Sequence, residues 1–546
     1  MKKIALYFIV ITFVLPIISG CTGGKDMQFV HVEGNHIVDG DGNYCLLKGI
    51  AFGNNVWAGP DEPVLTDHDE SSYKDIAEMG FNCVRYYMNY QLFEDDSAPY
   101  EYKESGFDWI DENIKWAKKN NIGIILNMHW PQGGYQSQAN GTALWTDPEN
   151  QERLIALWGE FARRYADEPT VIGYGLINEP IVPQLATVEE SVNQCRDLMQ
   201  RITDEIRQYD QNHIIFAERV CALQDMNTLA GNWNMQPAET LFLLDDNNTA
   251  YEFHCYDPYS FTHQNLRWAG TEGITPSYPS DEWMALNILD DWVGCSGSSA
   301  TAELDDGWVE YKSTAVSKTG QYNIGSITLR AQNTGDETVF FDDVKVEAYK
   351  DGELVKTVKE LDFDDAGKMG DFYFWAADGN GGSSYSDNGG YNGSGCYAIT
   401  GTTSDANMSG CKFALEDGFE YVLTAKVKAS KSVKAEARID FSLAENAMTL
   451  GYEYLESILK EYVQFGIDHN VPVYLGEFGA DIHSFENNRG GERYVADMLD
   501  ICKKYTIHFT YHTYHEDTFG LYMNAAYSLP DNKNDLLADV FIKSLK

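Results

Sequence analysis

Residues 152–180 read ERLIALWGEFARRYADEPTVIGYGLINEP, and this stretch decides the fold. In its first half Leu154, Leu157, Trp158 and Phe161 recur at helical spacing, over Glu152–Arg164. In its second half an apolar run, Val171–Ile177, stops at Asn178-Glu179-Pro180. A helix, a short connection, a buried strand and a polar tip make one unit of a parallel α/β sheet. The same rhythm predicts strands at Leu46–Phe52, Asn82–Tyr87, Gly123–Met128, His213–Glu218 and Ala250–Tyr256, six in all with the quoted one. From about Cys295 to Ser442 the texture changes to period-2 alternation, as in Val344, Val346 and Ala348 against Lys345 and Glu347. The first texture then returns, with helices near Tyr452–Asp468, Glu492–Lys504 and Asp535–Ser544 and strands at Val471–Glu477 and Thr506–Thr513. Eight units close into a barrel. The sequence therefore predicts an α/β chain, a (β/α)8 TIM barrel interrupted after strand 6 by an all-β sandwich, jelly-roll-like insert. The expected division is 1–21 for a leader, 22–294 for the first part of the barrel, 295–442 for the insert and 443–546 for the second part.

Composition narrows the partners. The 546 residues carry 84 Asp+Glu against 40 Lys+Arg, a net charge of −44. No basic face for phosphate neutralisation is expected from that balance, so it argues against nucleic acid, polyanionic substrates and anionic membrane surfaces. An apolar fraction of 43% with 13% aromatics is that of a globular chain, not an acidic disordered one.

At the N-terminus Lys2 and Lys3 precede an apolar run from Ile4 to Ile18, too short to span a bilayer and suited to a secretory signal. Ile18-Ser19-Gly20-Cys21 resembles the bacterial lipoprotein cleavage box, which implies lipidation at Cys21. The expectation is a secreted monomer held at the bacterial cell envelope, touching the membrane only through its lipid anchor.

Barrel enzymes draw their chemistry from the C-terminal ends of strands. Those ends carry Arg85, His129, Asn178-Glu179-Pro180, His254-Cys255-Tyr256 and Gly476-Glu477-Phe478-Gly479. Two carboxylates facing each other across a barrel mouth are what glycoside hydrolysis needs. Here the sequence resembles glycoside hydrolase family 5, in the run Phe81-Asn82-Cys83-Val84-Arg85, His129, Asn178-Glu179-Pro180, the pair His254/Tyr256 and the run Tyr474–Gly479. The resemblance covers roughly Phe29–Trp292 and Ala444–Lys546, and not the β-rich segment.

The resemblance implies a retaining mechanism, with Glu477 as nucleophile and Glu179 as general acid and then base. It places Arg85 beside Glu477, Asn178 on the sugar 2-hydroxyl, Tyr256 on Glu477 and His254 on Glu179. Glu477 must be ionised to attack, whereas Glu179 must hold a proton in the first step. A tryptophan common near the end of strand 8 in this family is replaced by His512, which bears on sugar specificity. Trp57, Trp130, Trp145 and Trp268 fall in loops after strands and are candidate stacking platforms.

The implied activity is cleavage of a neutral β-linked polysaccharide or oligosaccharide, as an endo-β-1,4-glucanase. An endo-β-mannanase or exo-β-glucosidase of the same fold is the alternative, and a non-catalytic surface glycan-binding lipoprotein is the different-class reading. The chemistry calls for no cofactor and no catalytic metal. Asn54-Asn55 stands where metal-dependent barrels carry His-x-His. Asp362–Asp371 and Asp378–Asp387 are oxygen-rich enough to hold a structural calcium. Trp308, Tyr311, Tyr373, Trp375 and Tyr385 are candidates for a carbohydrate-binding platform on the insert.

Overall fold

In this computed structural model, residues 27–58, 68–228, 231–233, 235–281, 283–295, 297–363, 372–377, 379–386 and 388–546 are described. The leader with Cys21 lies outside them, as do residues 364–371 of the first acidic stretch considered for calcium and Asp378 and Asp387 of the second. Among the described residues no helix is long and apolar enough to cross a membrane.

Eight parallel strands close into a barrel: β1 (Lys48–Phe52), β2 (Cys83–Asn89), β3 (Gly123–Trp130), β4 (Val171–Gly175), β5 (Ile214–Glu218), β6 (Thr249–His254), β7 (Val473–Phe478) and β8 (His508–Tyr511). They pair in sequence order, and β8 closes on β1 with Phe509 opposite Lys48. The longer helices are α1 (Glu70–Met79), α2 (Glu104–Lys119), α3 (Pro148–Tyr165), α4 (Val188–Ile206), α5 (Tyr452–His469), α6 (Gly491–Tyr505) and α7 (Asp535–Leu545). The connection from β5 to β6 departs from the regular rhythm. Among its described residues it carries only the short helix Pro237–Thr240 and two short strands, Ala222–Gln224 and Gly231–Asn232.

The stretch around residues 152–180 shows how sequence makes one unit. Asp147 caps α3 by accepting the Glu149 N–H, and Pro148 supplies a preset φ at the first helical position. Leu154, Leu157, Trp158 and Phe161 form the buried face, and the Trp158 indole donates to the Leu176 carbonyl at 3.1 Å. That bond fixes the helix against the strand whose tip carries Asn178 and Glu179. Below, an apolar plug of Ile37, Leu47, Cys83, Ile125, Ile172, Phe216 and Tyr474 fills the N-terminal end of the barrel. The chemistry is thereby confined to the opposite end.

Between β6 and α5 the chain builds two antiparallel sheets around one apolar core that includes Ile327, Leu329, Phe341, Val346, Leu423 and Ile439. Strand Trp283–Gly294 pairs with Lys434–Thr449, so this β body reaches past residues 295–442 at both ends. Trp283 lies opposite Thr449, and the outgoing and returning chains therefore leave the barrel side by side. Tyr311 is buried in the core of the β body, which removes it from any surface platform. Tyr373 and Trp375 are exposed on the strand Tyr373–Ala376, two residues apart and so on one face.

Candidate active site

The polar residues at the barrel mouth converge on Glu477. Its Oε1 accepts from Arg85 at 2.7 Å and from the Tyr87 hydroxyl at 2.8 Å, and its Oε2 accepts from the Tyr256 hydroxyl at 2.9 Å. Burial works against its charge, but the cationic surroundings of His254, Arg85 and His512 prevail and hold the carboxyl well below the usual carboxylate range.

A register shift explains how Glu477 comes to face inward. Phe253 pairs with Leu475, but His254 pairs with Glu477, so Gly476 is an extra residue on β7. Plain alternation would send Glu477 to the same side as Leu475, out into the helix layer. The bulge turns it into the mouth. A Cβ on Gly476 would stand 1.9 Å from Glu252 Oε1, so glycine alone leaves room for that carboxylate.

Arg85 is fully buried and works as a fork. One guanidinium nitrogen meets Glu477, and the other meets Asn178 Oδ1 at 2.8 Å and Glu252 Oε1 at 2.8 Å. Asn178 is placed by its backbone N–H on the Met128 carbonyl, and its side-chain amide donates to Ser137 at 3.1 Å and lies 3.4 Å from His129 Nε2. The His129 ring stacks on Tyr87 with centroids 3.9 Å apart. Burial keeps His129 neutral, well below an ordinary imidazole.

Glu179 sits at φ +42°, in the left-handed region that non-glycine residues seldom adopt. Its backbone N–H donates to Glu218 Oε2 at 2.8 Å, and its Oε1 lies 3.0 Å from His254 Nδ1. The same His254 nitrogen is 3.6 Å from Glu477 Oε2. Burial opposes charge on His254, but Glu218 and Glu477 outweigh it and push its pKa well up. One ligand-type atom each from Glu179, His254 and Glu477 all fall within 4.8 Å of one another.

The other candidate side chains divide. His512 lies in the site, with Nδ1 3.0 Å from the Tyr87 hydroxyl and Nε2 3.3 Å from Glu516. Trp57 approaches it edge-on at 6.3 Å. Trp130 stacks on Tyr135 at 4.8 Å, and Trp268 is exposed beside His263. Trp145 is buried, with its indole donating to Gln136 at 2.9 Å, so it packs rather than presenting a sugar platform.

Sequence reasoning passed over Tyr87, Glu218 and Glu252. Each carried a readable signal: Tyr87 and Glu252 stand two residues from Arg85 and His254 on the same strand faces, and Glu218 ends an apolar strand in a charge. A second group, Glu218, Glu252 and His254, also has metal-ligand proximity. Arg85 already supplies a cation there, 2.8 Å from Glu252.

Endoglucanase C of Acetivibrio thermocellus is 32% identical over 202 residues, which is 37% of this chain and 53% of that protein. A beta-xylosidase of Phanerodontia chrysosporium is 28% identical over 312 residues, 49% of this chain and 61% of that one. The chain thus spans about half the length of the first of these relatives. Among solved structures, an endoglucanase of Thermotoga maritima matches with 16% identity and a TM-score of 0.47, covering 90% of this chain and 96% of that one. The family model for cellulase, glycosyl hydrolase family 5, matches residues 38–331, more than half of the chain, and with the eight-stranded barrel in place the chain belongs to that family.

Proposed function

We propose that the protein is a retaining glycoside hydrolase that cleaves a neutral β-linked glucan, acting as an endo-β-1,4-glucanase by double displacement. The observation that carries this reading is the approach of Glu179 to Glu477, with oxygens within 4.8 Å. That separation fits the roughly 5–5.5 Å of retaining carboxyl pairs and not the wider gap that inverting enzymes need for a water.

Glu477 Oε1 accepts from both Arg85 and Tyr87, whereas Oε2 accepts from Tyr256 and keeps a lone pair to attack the anomeric carbon. As the glycosidic bond breaks, Glu179 gives its proton to the leaving oxygen, and Glu477 becomes a neutral ester. Water then attacks the same carbon and yields its proton to Glu179, and the ester carboxylate leaves. The negative charge moves from Glu477 to Glu179 and back. His254 stands within 3.6 Å of both carboxylates and faces the charge in either position. Asn178, fixed by Arg85 and Ser137, is placed to meet the sugar 2-hydroxyl. We assign sugar stacking to Trp57 and Trp130 at the mouth, with His512 shaping the cleavage subsite.

The leader supports secretion and a lipid anchor at Cys21, with a monomer at the cell envelope. Tyr373 and Trp375 support glycan binding by the β body. The test is reducing-end release from neutral β-glucans, mannan and xyloglucan by the wild type, E179Q and E477Q, with products sized. Loss in both variants, a ladder of oligosaccharides and retained anomeric configuration by NMR are expected. Undiminished release by either variant would sink the proposal, and a single small sugar product would replace endo with exo action.

A further inference from the structure

Glu477 is reached by a chain of contacts that begins in the loop after β8 and that the two-carboxylate mechanism does not use. Glu516 Oε2 lies 3.3 Å from His512 Nε2, His512 Nδ1 lies 3.0 Å from the Tyr87 hydroxyl, and that hydroxyl donates to Glu477 Oε1 at 2.8 Å. Glu516 is held by Thr518, whose hydroxyl donates to Oε1 at 2.9 Å. Its Oε2 is buried, and among the described residues no other donor reaches it. Tyr87 is fully buried, with its ring nearly parallel to those of His129 and His512 at centroid distances of 3.9 and 5.9 Å.

Counting protons gives the chain a direction. A phenol carries one proton, and Tyr87 has two neighbours able to accept it, Glu477 Oε1 and His512 Nδ1. The ionised nucleophile is the stronger acceptor, because charge on one partner roughly doubles a hydrogen bond. With the Tyr87 proton on Glu477, Nδ1 faces a lone pair of the hydroxyl and must carry a proton of its own. Nε2 faces a carboxylate and must carry one too. Both ring nitrogens are donors only in an imidazolium. A neutral ring that kept its proton on Nε2 would present a bare Nδ1 and draw the Tyr87 proton away from Glu477.

The geometry points to Glu516 and His512 as a positioning pair that commits the single Tyr87 proton to the nucleophile. This rests on the assignment of Glu477 made above. The tryptophan common at the His512 position has one ring nitrogen and cannot bridge two oxygens, so the relay comes with the departure from the family pattern there. Burial opposes charge on His512, but Glu516 and Glu477 outweigh it and raise its pKa above that of an ordinary imidazole. The other titratable groups facing His512 are His129 from β3, Glu179 from the tip of β4, and Tyr256 and His263 after β6. Burial keeps both of those histidines below an ordinary imidazole, so the positive charge in this group falls to His512.

Gln in place of Glu516 separates this role from plain charge. Glu516 and an imidazolium together carry no net charge, and neither do Gln and a neutral ring, so E516Q frees the Tyr87 proton while the charge near Glu477 stays balanced. The experiment is the pH profile of kcat/KM on a soluble β-glucan for full-length wild type, E516Q, Y87F and Y87F/E516Q, with thermal melts to show folding. Nitrogen-15 NMR of the histidine-labelled wild type and E516Q at about pH 6 accompanies it, with His512 assigned by its loss in H512N. E516Q should move the acid limb up by roughly half a unit to one unit, because Glu477 loses most of one hydrogen bond. In the Y87F background the same substitution should move it by less than about 0.2 unit, since the path runs through the hydroxyl. His512 should carry protons on both nitrogens in the wild type and on one in E516Q. An acid limb that stays or falls in E516Q overturns the inference, as does an equal shift in the Y87F background. So does a neutral His512 in the wild type, or a doubly protonated one in E516Q. If the wild type hydrolyses no glycan, the proposed function fails on its own, and the NMR, which needs neither substrate nor a folded variant of Tyr87, still decides the pair.

Discussion

Replacing Arg85 with Lys keeps the charge and removes the fork. The guanidinium makes three short contacts from two nitrogens, to Glu477, Asn178 and Glu252, whereas a single ammonium on a shorter reach holds one carboxylate at a time. When it sits on Glu252, Glu477 Oε1 keeps only Tyr87. A hydrogen bond to a charged group is worth about 1.5–3 kcal/mol, and one pKa unit is about 1.4 kcal/mol, so the Glu477 pKa should rise by roughly 1–2 units. The nucleophile must be ionised, so a higher pKa moves the acid limb of kcat/KM to higher pH by that amount. Asn178, losing its anchor, should lower kcat/KM at the optimum by a further ~10-fold or more. The assay is a pH profile of kcat/KM on a soluble β-glucan for wild type and R85K, with thermal melts to show that the variant is folded. A folded R85K with an unmoved acid limb would refute the claim that the fork, and not merely the charge, sets the state of Glu477.

Other expectations follow from the same geometry. E179Q should lose roughly 10²–10⁴-fold on natural glucans but far less on aryl glycosides whose leaving groups need no proton, and equal losses on both would remove Glu179 from the acid role. G476A drives a Cβ onto Glu252, so it should cost about 1–3 kcal/mol in urea denaturation; a neutral effect would show that the β7 bulge tolerates a side chain. His508 is buried with Nδ1 accepting the Leu47 N–H, and burial depresses its pKa to about 3. The unfolded imidazole gains its proton near pH 6.5 while the folded one does not, so stability should fall by up to about 1.4 kcal/mol per unit as pH drops from 6.5 to 3. A denaturant midpoint in H508Q that falls as steeply as the wild type's over that range would assign the loss elsewhere. Y373A/W375A should weaken retardation in a β-glucan affinity gel without changing kcat on a soluble oligosaccharide, and unchanged retardation would leave the β body without a sugar platform there.

Much of this was legible in the sequence because the barrel repeats one physical rule. Apolar strands that end in polar residues gave β2, β3, β4, β6 and β7 together with Arg85, His129, Asn178, His254 and Glu477. Three features were hidden for separate reasons. Trp283–Gly294 has apolar residues at spacings that also suit a helix, so the β body looked shorter than its paired strands make it. Trp145 follows a barrel strand in sequence, but position along the chain says nothing of whether a ring turns outward, and Gln136 draws its indole inward. The orientation of Glu477 depends on a bulge, which single-sequence alternation cannot place. Glu218 and Glu252 were hidden by the usual rule that acids lie outside, which fails in a barrel whose centre is an arginine.

The pairing of Trp283 with Thr449 has a consequence for the order of folding. β6 and β7 are neighbours in the barrel although Tyr251 and Val473 are roughly 220 residues apart along the chain. Once the β body has formed and tied Trp283 to Thr449, the loop that must close between β6 and β7 shrinks to roughly 50 residues. The entropy of that closure falls by about 1 kcal/mol, a several-fold gain in the chance of the two strands meeting. A β body that forms first shortens the search that brings His254 and Glu477 together.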